Sequence, residues 1–385
     1  MRILHVAPSI ARSYGGPTQS LSGYVAASRL SAADVTIAAP VATDSEQAIL
    51  EEYAGRGNVH VFPTVGRGAF VVSPSMIRWV QHVASDYDVV HVHGLFNPIS
   101  TLSSRAALKA GSPVVIRPFG TLSRYTFQHR RSMLKRAYFA AVERDNVVNA
   151  AALHFTTETE RNEARWHAIT IDDRAHIVPP PWISAGGPAS GGARTNNRVL
   201  FIGRINPIKN LEALIDAWPL VISELPDAEL LIAGDGARGY MKSLQHRAST
   251  LGISRSLRFA GFLTGMEKEN ALAAATTFVL PSFHENFGIV ILEALAAGIP
   301  VVISPQVQLR AFVEQNSLGV IADSSAAELA AAICAVLRDH ALRRRVSETA
   351  PKLVETEFSP ALIGEKLRAM YLHAIENHQN RRARA

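Results

Sequence analysis

Cysteine is nearly absent from this chain: Cys334 stands alone among 385 residues. A single thiol cannot close an internal disulfide and offers no cysteine cluster to a metal, and such scarcity suits a reducing cytoplasm. Long apolar runs are missing too. No uninterrupted stretch approaches the roughly 20 residues that a membrane-spanning helix needs. The opening residues, MRILHVAPSIARSYGG, hold too short an apolar run for a signal peptide and read better as a first strand. No nucleic-acid-binding motif and no aromatic stacking platform is recognisable, and the two halves share no sequence repeat. What is in excess is positive charge, with 39 Lys and Arg against 33 Asp and Glu, a net charge of +6. That excess implies an anionic partner: nucleotide phosphate, acidic lipid headgroup or nucleic acid.

A chain of this length is too long for one ordinary core and suits two domains. Strand signals recur at Ile3–Ala7, Val35–Ala39, Val59–Phe62, Val89–Val92, Val114–Ile116 and Leu153–Phe155. Helical stretches such as Thr18–Leu30, Ser73–Ser85 and Asn97–Ala110 lie between them. Such alternation predicts a doubly wound α/β domain over residues 1–183. A proline run at 179–181 and the Gly, Ala and Ser-rich segment 184–197 read as a linker. Alternation then restarts over 198–359, at Val199–Ile202, Leu230–Ala233, Leu257–Ala260, Phe278–Leu280 and Val301–Ile303. The helical tail from Ser325 is expected to break near Pro351 and Pro360. Its last segment, 360–385, is expected to pack back on the first domain.

The stretch ATTFVLPSFHENFGIVILEALAAGIPVVIS, residues 275–304, carries the most chemistry. It reads as a strand, a loop with Glu285, a helix over about Phe287–Ala297, a stop at Gly298 and another strand. Runs this apolar predict parallel strands buried on both faces. A carboxylate at Glu293, on a helix apolar nearly all round, is costly unless something pairs with it. Glu285 and Glu293 frame a helix N-terminus, whose unpaired N–H groups suit a phosphate. A phosphate flanked by two hydroxyl-binding carboxylates suggests a sugar nucleotide. Each glutamate also has a plainer reading, as a first-turn charge or a surface carboxylate. Gly203 ends the first strand of the second half, with Arg204 beside it and Lys209 five residues on, two cations where open α/β sheets bind ligands. Surface charges that merely solvate the loop are the alternative. Gly234-Asp235-Gly236 reads as a tight turn close to a ligand. In the first half, Gly15 and Gly16 lie between strand and helix, where backbone can approach a ligand.

Taken in order, Gly15-Gly16, Gly203-Arg204 with Lys209, Gly234-Asp235-Gly236, and Glu285-Asn286-Phe287-Gly288 through Glu293 resemble the motifs of the family 4 retaining glycosyltransferases. The resemblance spans nearly the whole chain and implies the GT-B fold, two Rossmann-like domains facing a cleft. It also implies a nucleotide diphosphate-sugar donor, UDP- or GDP-linked, with neither cofactor nor bound metal. The acceptor it implies is a glycan or lipid-linked saccharide, with a role in cell-surface polysaccharide biosynthesis such as lipopolysaccharide. By position, Arg204 and Lys209 would neutralise the diphosphate, Glu285 would bind sugar hydroxyls and Glu293 the ribose. Backbone N–H groups of Asn286, Phe287, Gly288 and Ile289 would cap the phosphate, with Gly15-Gly16 closing over it.

One departure stands out. Many relatives carry a histidine in a Pro-His-Gly type motif; here Phe119 of Arg117-Pro118-Phe119-Gly120 occupies that place. Another residue then takes the role, or the donor sugar lacks the hydroxyl that the histidine would bind, as a deoxy-sugar would. His91 and His93 point to one face of their strand, either toward the sugar or into the core. The segment Arg124–Arg144 reads as a basic helix with Phe127, Met133, Leu134, Ala137 and Tyr138 interleaved. It suits a cytoplasmic protein touching an acidic membrane surface, and equally an ordinary solvated helix face. Two other functions stay open: a sugar-nucleotide epimerase of the same fold, and a basic nucleic-acid binder.

Overall fold

The computed structural model describes residues 1–11, 16–40, 58–66, 71–128, 132–165, 171–183 and 197–384. The chain divides into two compact units, Met1–Ile183 with Phe358–Ala385, and Ser184–Glu357. Gly15 and linker residues 184–196 lie outside the described residues.

Unit 1 contains β1 (Arg2–Val6), α1 (Gly16–Leu30), β2 (Asp34–Pro40), β3 (Asn58–Phe62), α2 (Pro74–Val83), β4 (Val89–His93), α3 (Pro98–Lys109) and β5 (Val114–Arg117). Next come α4 (Arg124–Gln128), α5 (Ser132–Tyr138), α6 (Arg144–Asn149), β6 (Ala152–Phe155), α7 (Glu158–Ala164) and β7 (Ala175–Ile177). The strands form one parallel sheet in the order β3-β2-β1-β4-β5-β6-β7. The order reverses between β1 and β4, the switch point beside which such sheets bind ligands. Every residue of β4, β5 and β6 is buried, as a sheet covered on both faces requires. Helix starts follow local chemistry: Asn97 Oδ1 accepts from Ile99 N at the start of α3, where Pro98 needs no partner for the N–H it lacks.

Unit 2 contains β8 (Arg198–Ile202), α8 (Leu211–Glu224), β9 (Glu229–Ala233), α9 (Arg238–Thr250), β10 (Leu257–Gly261), α10 (Gly265–Ala274) and β11 (Thr277–Leu280). It continues with α11 (Ile289–Ala296), β12 (Val301–Ile303), α12 (Arg310–Gln315), β13 (Gly319–Ile321), α13 (Ala326–Arg338) and α14 (His340–Glu357). Its strands run parallel in the order β10-β9-β8-β11-β12-β13, with the reversal between β8 and β11. The final helix, α15 (Pro360–Arg384), belongs to unit 1. Its Ile363, Leu367, Met370, Tyr371 and Ala374 form one buried stripe at helical spacing and join the core with Ile3, Tyr24 and Ala27. At the crossing of α15 over α1, a Cβ on Gly364 would stand 2.4 Å from the carbonyl oxygen of Ala27. Only glycine lets the two backbones come that close.

Three expectations need correction. Pro351 does not break the tail but lies inside α14. A proline there forfeits one helix bond, and the buried stripe Leu342, Val346, Ala350 and Val354 holds the helix together across it. The breaks fall at Asp339, whose Oδ1 caps Leu342 N, and at Ser359, whose Oγ accepts from Leu362 N. Arg124–Arg144 is not one regular helix either, since a π-helical stretch at Phe139–Glu143 separates α5 from α6. There Glu143 turns inward, accepting from Phe96 N, Thr101 Oγ1 and Asn146 Nδ2. Phe127 is core, packed edge-on against Phe139, while Met133 and Leu134 are 83% and 62% exposed. Finally, the helix after Glu285 begins at Ile289 and not at Phe287, because Gly288 sits in the left-handed region at φ 80°. A Cβ at Gly288 would come 2.9 Å from Ile291 Cδ1, so both conformation and space ask for glycine.

Candidate active site

The loops after β8 and β11 meet at the carboxyl edge of unit 2. Asn206 Oδ1 accepts from Ile208 N and shapes a single 3₁₀ turn, Pro207–Lys209, that ends at left-handed Asn210. Ile208 O accepts from Phe283 N, which ties this turn to the loop leading to α11. Glu285 is anchored by its backbone: its N–H donates to Gln306 O and its carbonyl accepts from Gln308 N. These two fixed loops bring Lys209 Nζ and Glu285 Oε2 into an ion pair, both side chains largely buried. The sequence separation is 76 residues, so nothing in the local pattern announces the pairing.

Glu293, the fifth residue of α11, is only 7% exposed, with Ile291, Leu292, Ala294 and Leu295 buried around it. Its partner is Lys268 of α10, Nζ to Oε1 at 2.5 Å. That lysine was not foreseen. A lone lysine in Gly265–Asn270 looks like any solvated charge, and only the tertiary placement of α10 turns it inward. Each glutamate thus has its own cation, which offsets the cost of holding a carboxylate away from water. His284, next to Glu285, was also missed. Burial lowers its pKa, as does Lys209, while Glu285 works the other way.

Gly234 and Gly236 answer to packing. A Cβ on Gly234 would lie 1.8 Å from Gly203 O, and one on Gly236 would lie 2.0 Å from Ile205 O. This closeness lets Ile205 N donate to Asp235 O at 2.8 Å, extending the β8–β9 pairing beyond the strands. Gly203 and Arg204 follow β8 directly, Arg204 being exposed. The N-terminus of α11, with Gly288 and Ile289, opens between the Glu285 loop and the buried Glu293. Asn286 is half-buried and Phe287 is 5% exposed, immediately before that helix. The structure therefore gathers Lys209, Glu285, Asn286, Phe287, Gly288 and Ile289 into one neighbourhood and gives Glu293 a separate cationic partner. Two pre-aimed carboxylates and a helix end with its N–H groups can together bind hydroxyls and an anion.

In unit 1, Gly16 opens α1, with room for a side chain. His91 and His93 are both buried, along with His5 and His154, which no local pattern in the sequence marks. The carbonyl of Val178 can only accept, so His154 Nε2 carries the proton of their 2.7 Å bond. In a neutral ring, His154 Nδ1 then accepts from His91 Nε2 at 3.2 Å, and His91 Nδ1 accepts from the Tyr371 hydroxyl at 2.9 Å. His93 Nε2 shares a hydrogen bond with His5 Nδ1 at 2.9 Å. Burial, then Arg117, pushes His5 down to about 3, and burial, then His5 and Arg117, holds His93 well below the usual imidazole range. Phe119 lies in the left-handed region at φ 57°, its ring 3.9 Å from the Arg117 guanidinium and 6.2 Å from the ring centre of His93. Arg117 is itself buried between Tyr24 and Phe119 and donates to Ser20 Oγ.

Ring nitrogens of His5, His91 and His93 lie within 4.8 Å of one another, a spacing that could hold an ion. The rings oppose it. His93 stacks on His91 at a centroid distance of 4.3 Å and already shares a hydrogen bond with His5, so the three rings do not turn free lone pairs to one point. Both nitrogens of His91 are engaged, and the Arg117 cation stands beside the group. The cluster is a hydrogen-bonded core that ties α15 to the sheet.

Comparison with known proteins covers both units. Residues 15–181 match the family described as Glycosyl transferase 4-like domain, and residues 188–353 match Glycosyl transferases group 1. The chain is 29% identical over 277 residues to the phosphatidyl-myo-inositol mannosyltransferase of Mycobacterium leprae, spanning 70% of this chain and 68% of that protein. It is 29% identical over 252 residues to the D-inositol 3-phosphate glycosyltransferase of Corynebacterium glutamicum, spanning 61% and 60%. In structure it resembles Anabaena HepE crystallised with UDP and glucose, with a TM-score of 0.76 at 20% identity over 96% of this chain and 98% of that one.

Proposed function

Because the chain belongs to the family 4 glycosyltransferases and has their GT-B fold, we propose that it moves a sugar from a UDP- or GDP-linked donor to an acceptor hydroxyl with retention of configuration. The observation that carries this reading is the pair of lysine–glutamate contacts about α11, beside a helix N-terminus at the carboxyl edge of unit 2. The acceptor is a glycan or a lipid-linked saccharide of cell-surface polysaccharide synthesis. A relative that is named a phosphatidyl-myo-inositol mannosyltransferase supports a lipid-linked acceptor. Among the described residues no helix is long and apolar enough to cross a membrane. Contact with lipid would run instead through Met133 and Leu134 on basic α5, at the cytoplasmic face.

In this mechanism the bond from the anomeric carbon to the β-phosphate oxygen breaks, and its electron pair leaves with the nucleoside diphosphate. The acceptor oxygen bonds to the anomeric carbon on the same face, and its proton passes to the departing phosphate oxygen. No protein nucleophile is needed. The growing phosphate charge is met by Lys209, Arg204 and the N–H groups at Gly288 and Ile289, in a preorganised field. The reading needs no metal ion to neutralise that charge. Lys209 begins paired to Glu285. Binding of the diphosphate draws Lys209 toward phosphate and leaves Glu285 acceptor capacity for sugar hydroxyls, so the two halves of the donor are recognised together.

The test is a thermal-shift screen of UDP-, GDP-, ADP- and dTDP-sugars on wild type and Lys209→Ala. A ligand at 100 times its Kd stabilises the folded state by about 2.7 kcal/mol. One nucleotide class should raise the wild-type midpoint, and the variant should lose the response. Turnover should require an acceptor. A folded protein stabilised by none of these donors would sink the reading, and turnover without acceptor would turn it toward an epimerase.

A further inference from the structure

We propose that Lys268 is a positioning residue for the donor, fixing the Glu293 carboxylate as an aimed acceptor for the ribose hydroxyls and so setting a preference for ribonucleotides over their deoxy analogues. The inference rests on the reading of unit 2 as a nucleotide-sugar site.

Helix α10 turns most of its surface outward: Gly265, Met266, Glu267, Glu269 and Asn270 are all exposed. Lys268 departs from them at 27% exposure. It falls three and four residues before Ala271 and Leu272, the buried positions of the same helix, and so lies on the face that α10 presents to the domain. From there its side chain spans to Glu293 at 2.5 Å. Glu267 and Glu269, its sequence neighbours, stay in solvent, so the inward cation is selected by position and not by a general excess of charge.

The consequence for Glu293 is directional. A glutamate has three side-chain torsions to settle before its carboxylate is aimed. An ammonium on Oε1 fixes the plane of the carboxylate. A carboxylate offers about four acceptor positions, so the lysine contact does not by itself exhaust it. An acceptor already aimed before binding costs less ordering when the ribose arrives. Lys268 itself need not touch the nucleotide for this effect.

The experiment compares, by calorimetry, the Kd of UDP or GDP (whichever the protein binds) with that of its 2′,3′-dideoxy analogue. Wild type, Glu293→Gln, Lys268→Met, Lys268→Gln and Lys268→Arg are measured alike, each first checked for a cooperative thermal transition. Wild type should prefer the ribonucleotide. Glu293→Gln should bring the preference toward unity. Lys268→Met and Lys268→Gln should each cut it by about tenfold, the scale of one well-aimed hydrogen bond to a charged acceptor. The dideoxy analogue should bind all the variants as it binds wild type, and Lys268→Arg should restore most of the preference. If Glu293→Gln abolishes the preference while both neutral Lys268 variants retain it, the inference is overturned and the donor reading stands. Equal loss of affinity for both nucleotides in the Lys268 variants also overturns it, since that is what a purely structural lysine would produce. A preference unchanged in Glu293→Gln removes the donor reading of Glu293 and the inference with it.

Discussion

At the scale of single side chains, the buried imidazoles of unit 1 make its stability depend on acid. His5, His91, His93 and His154 are neutral in the folded chain because burial penalises their charged forms, and in all four the pKa is lowered. In the unfolded chain they return to about 6.5. The unfolded state therefore binds more protons below that value, and stability falls as pH drops from 6.5 toward the folded values, about 3 for His5. For His5 alone the loss at pH 5 relative to neutrality is about 2 kcal/mol, and the other three act with the same sign. Unfolding midpoints in urea, measured at pH 7.5 and pH 5.0, should differ steeply for wild type and less for His5→Leu. Equal pH dependence in the two proteins would contradict this account. Residue-scale chemistry was only partly legible. Glu285 and Glu293 stand out because a carboxylate beside an apolar helix is anomalous in itself. Lys268, His5 and His154 do not, because their partners lie on other elements and no local pattern marks them.

Among secondary elements, close approach decides more than propensity does. Gly364 in α15 faces the Ala27 carbonyl and Ser31 Oγ of the first domain at 2.4 and 2.5 Å from where a Cβ would sit. Helix propensity by itself gives Gly364→Ala a gain of about 1 kcal/mol. Overpacking at the crossing gives a loss of about 1–3 kcal/mol. The opposed signs make this a clean test, and the loss should win in a denaturant titration. A stabilised variant would mean the two helices part without cost. Elements were legible where apolar residues run nearly unbroken or over many turns, such as β12, α11 and α15. The short strands β7 and β13 are not legible, because His176 and Gly319 interrupt the apolar run that the equally short β12 keeps whole. Pro351 was misread because its helix is held by tertiary packing that outweighs a local breaker.

For the whole molecule, the two sheets repeat one topology without repeating sequence, each reversing strand order beside its first strand. This much was legible from the alternation of apolar runs. Surface function is harder to read, and the proposed membrane contact shows why. Of the apolar residues interleaved with charge after Arg124, Phe127 is core, Tyr138 is half-buried, and Met133, Leu134 and Ala137 are exposed. Burying two such side chains in lipid contributes roughly 3 kcal/mol, about a hundredfold in partition. Flotation with vesicles containing phosphatidylglycerol should carry the protein up at low salt. Doubly substituted Met133→Glu, Leu134→Glu protein should stay behind while keeping its thermal midpoint. Wild type that ignores anionic vesicles would remove this contact from the proposal.

The return of α15 to unit 1 also has a consequence in time. Ile363, Leu367, Met370 and Tyr371 are translated only after all of unit 2, yet they complete the core around Ile3, Tyr24 and Ala27. Domains ordinarily mature in order of synthesis, the first to emerge folding first. Here the later-made unit can finish before the earlier one, whose sheet must wait on the ribosome with the floor for α15 uncovered. His91, to which the Tyr371 hydroxyl donates, stays wet through that interval. A nascent chain of this kind offers chaperones an unfinished N-terminal domain for most of its synthesis, and proteolytic trimming of its tail would reopen the domain made first.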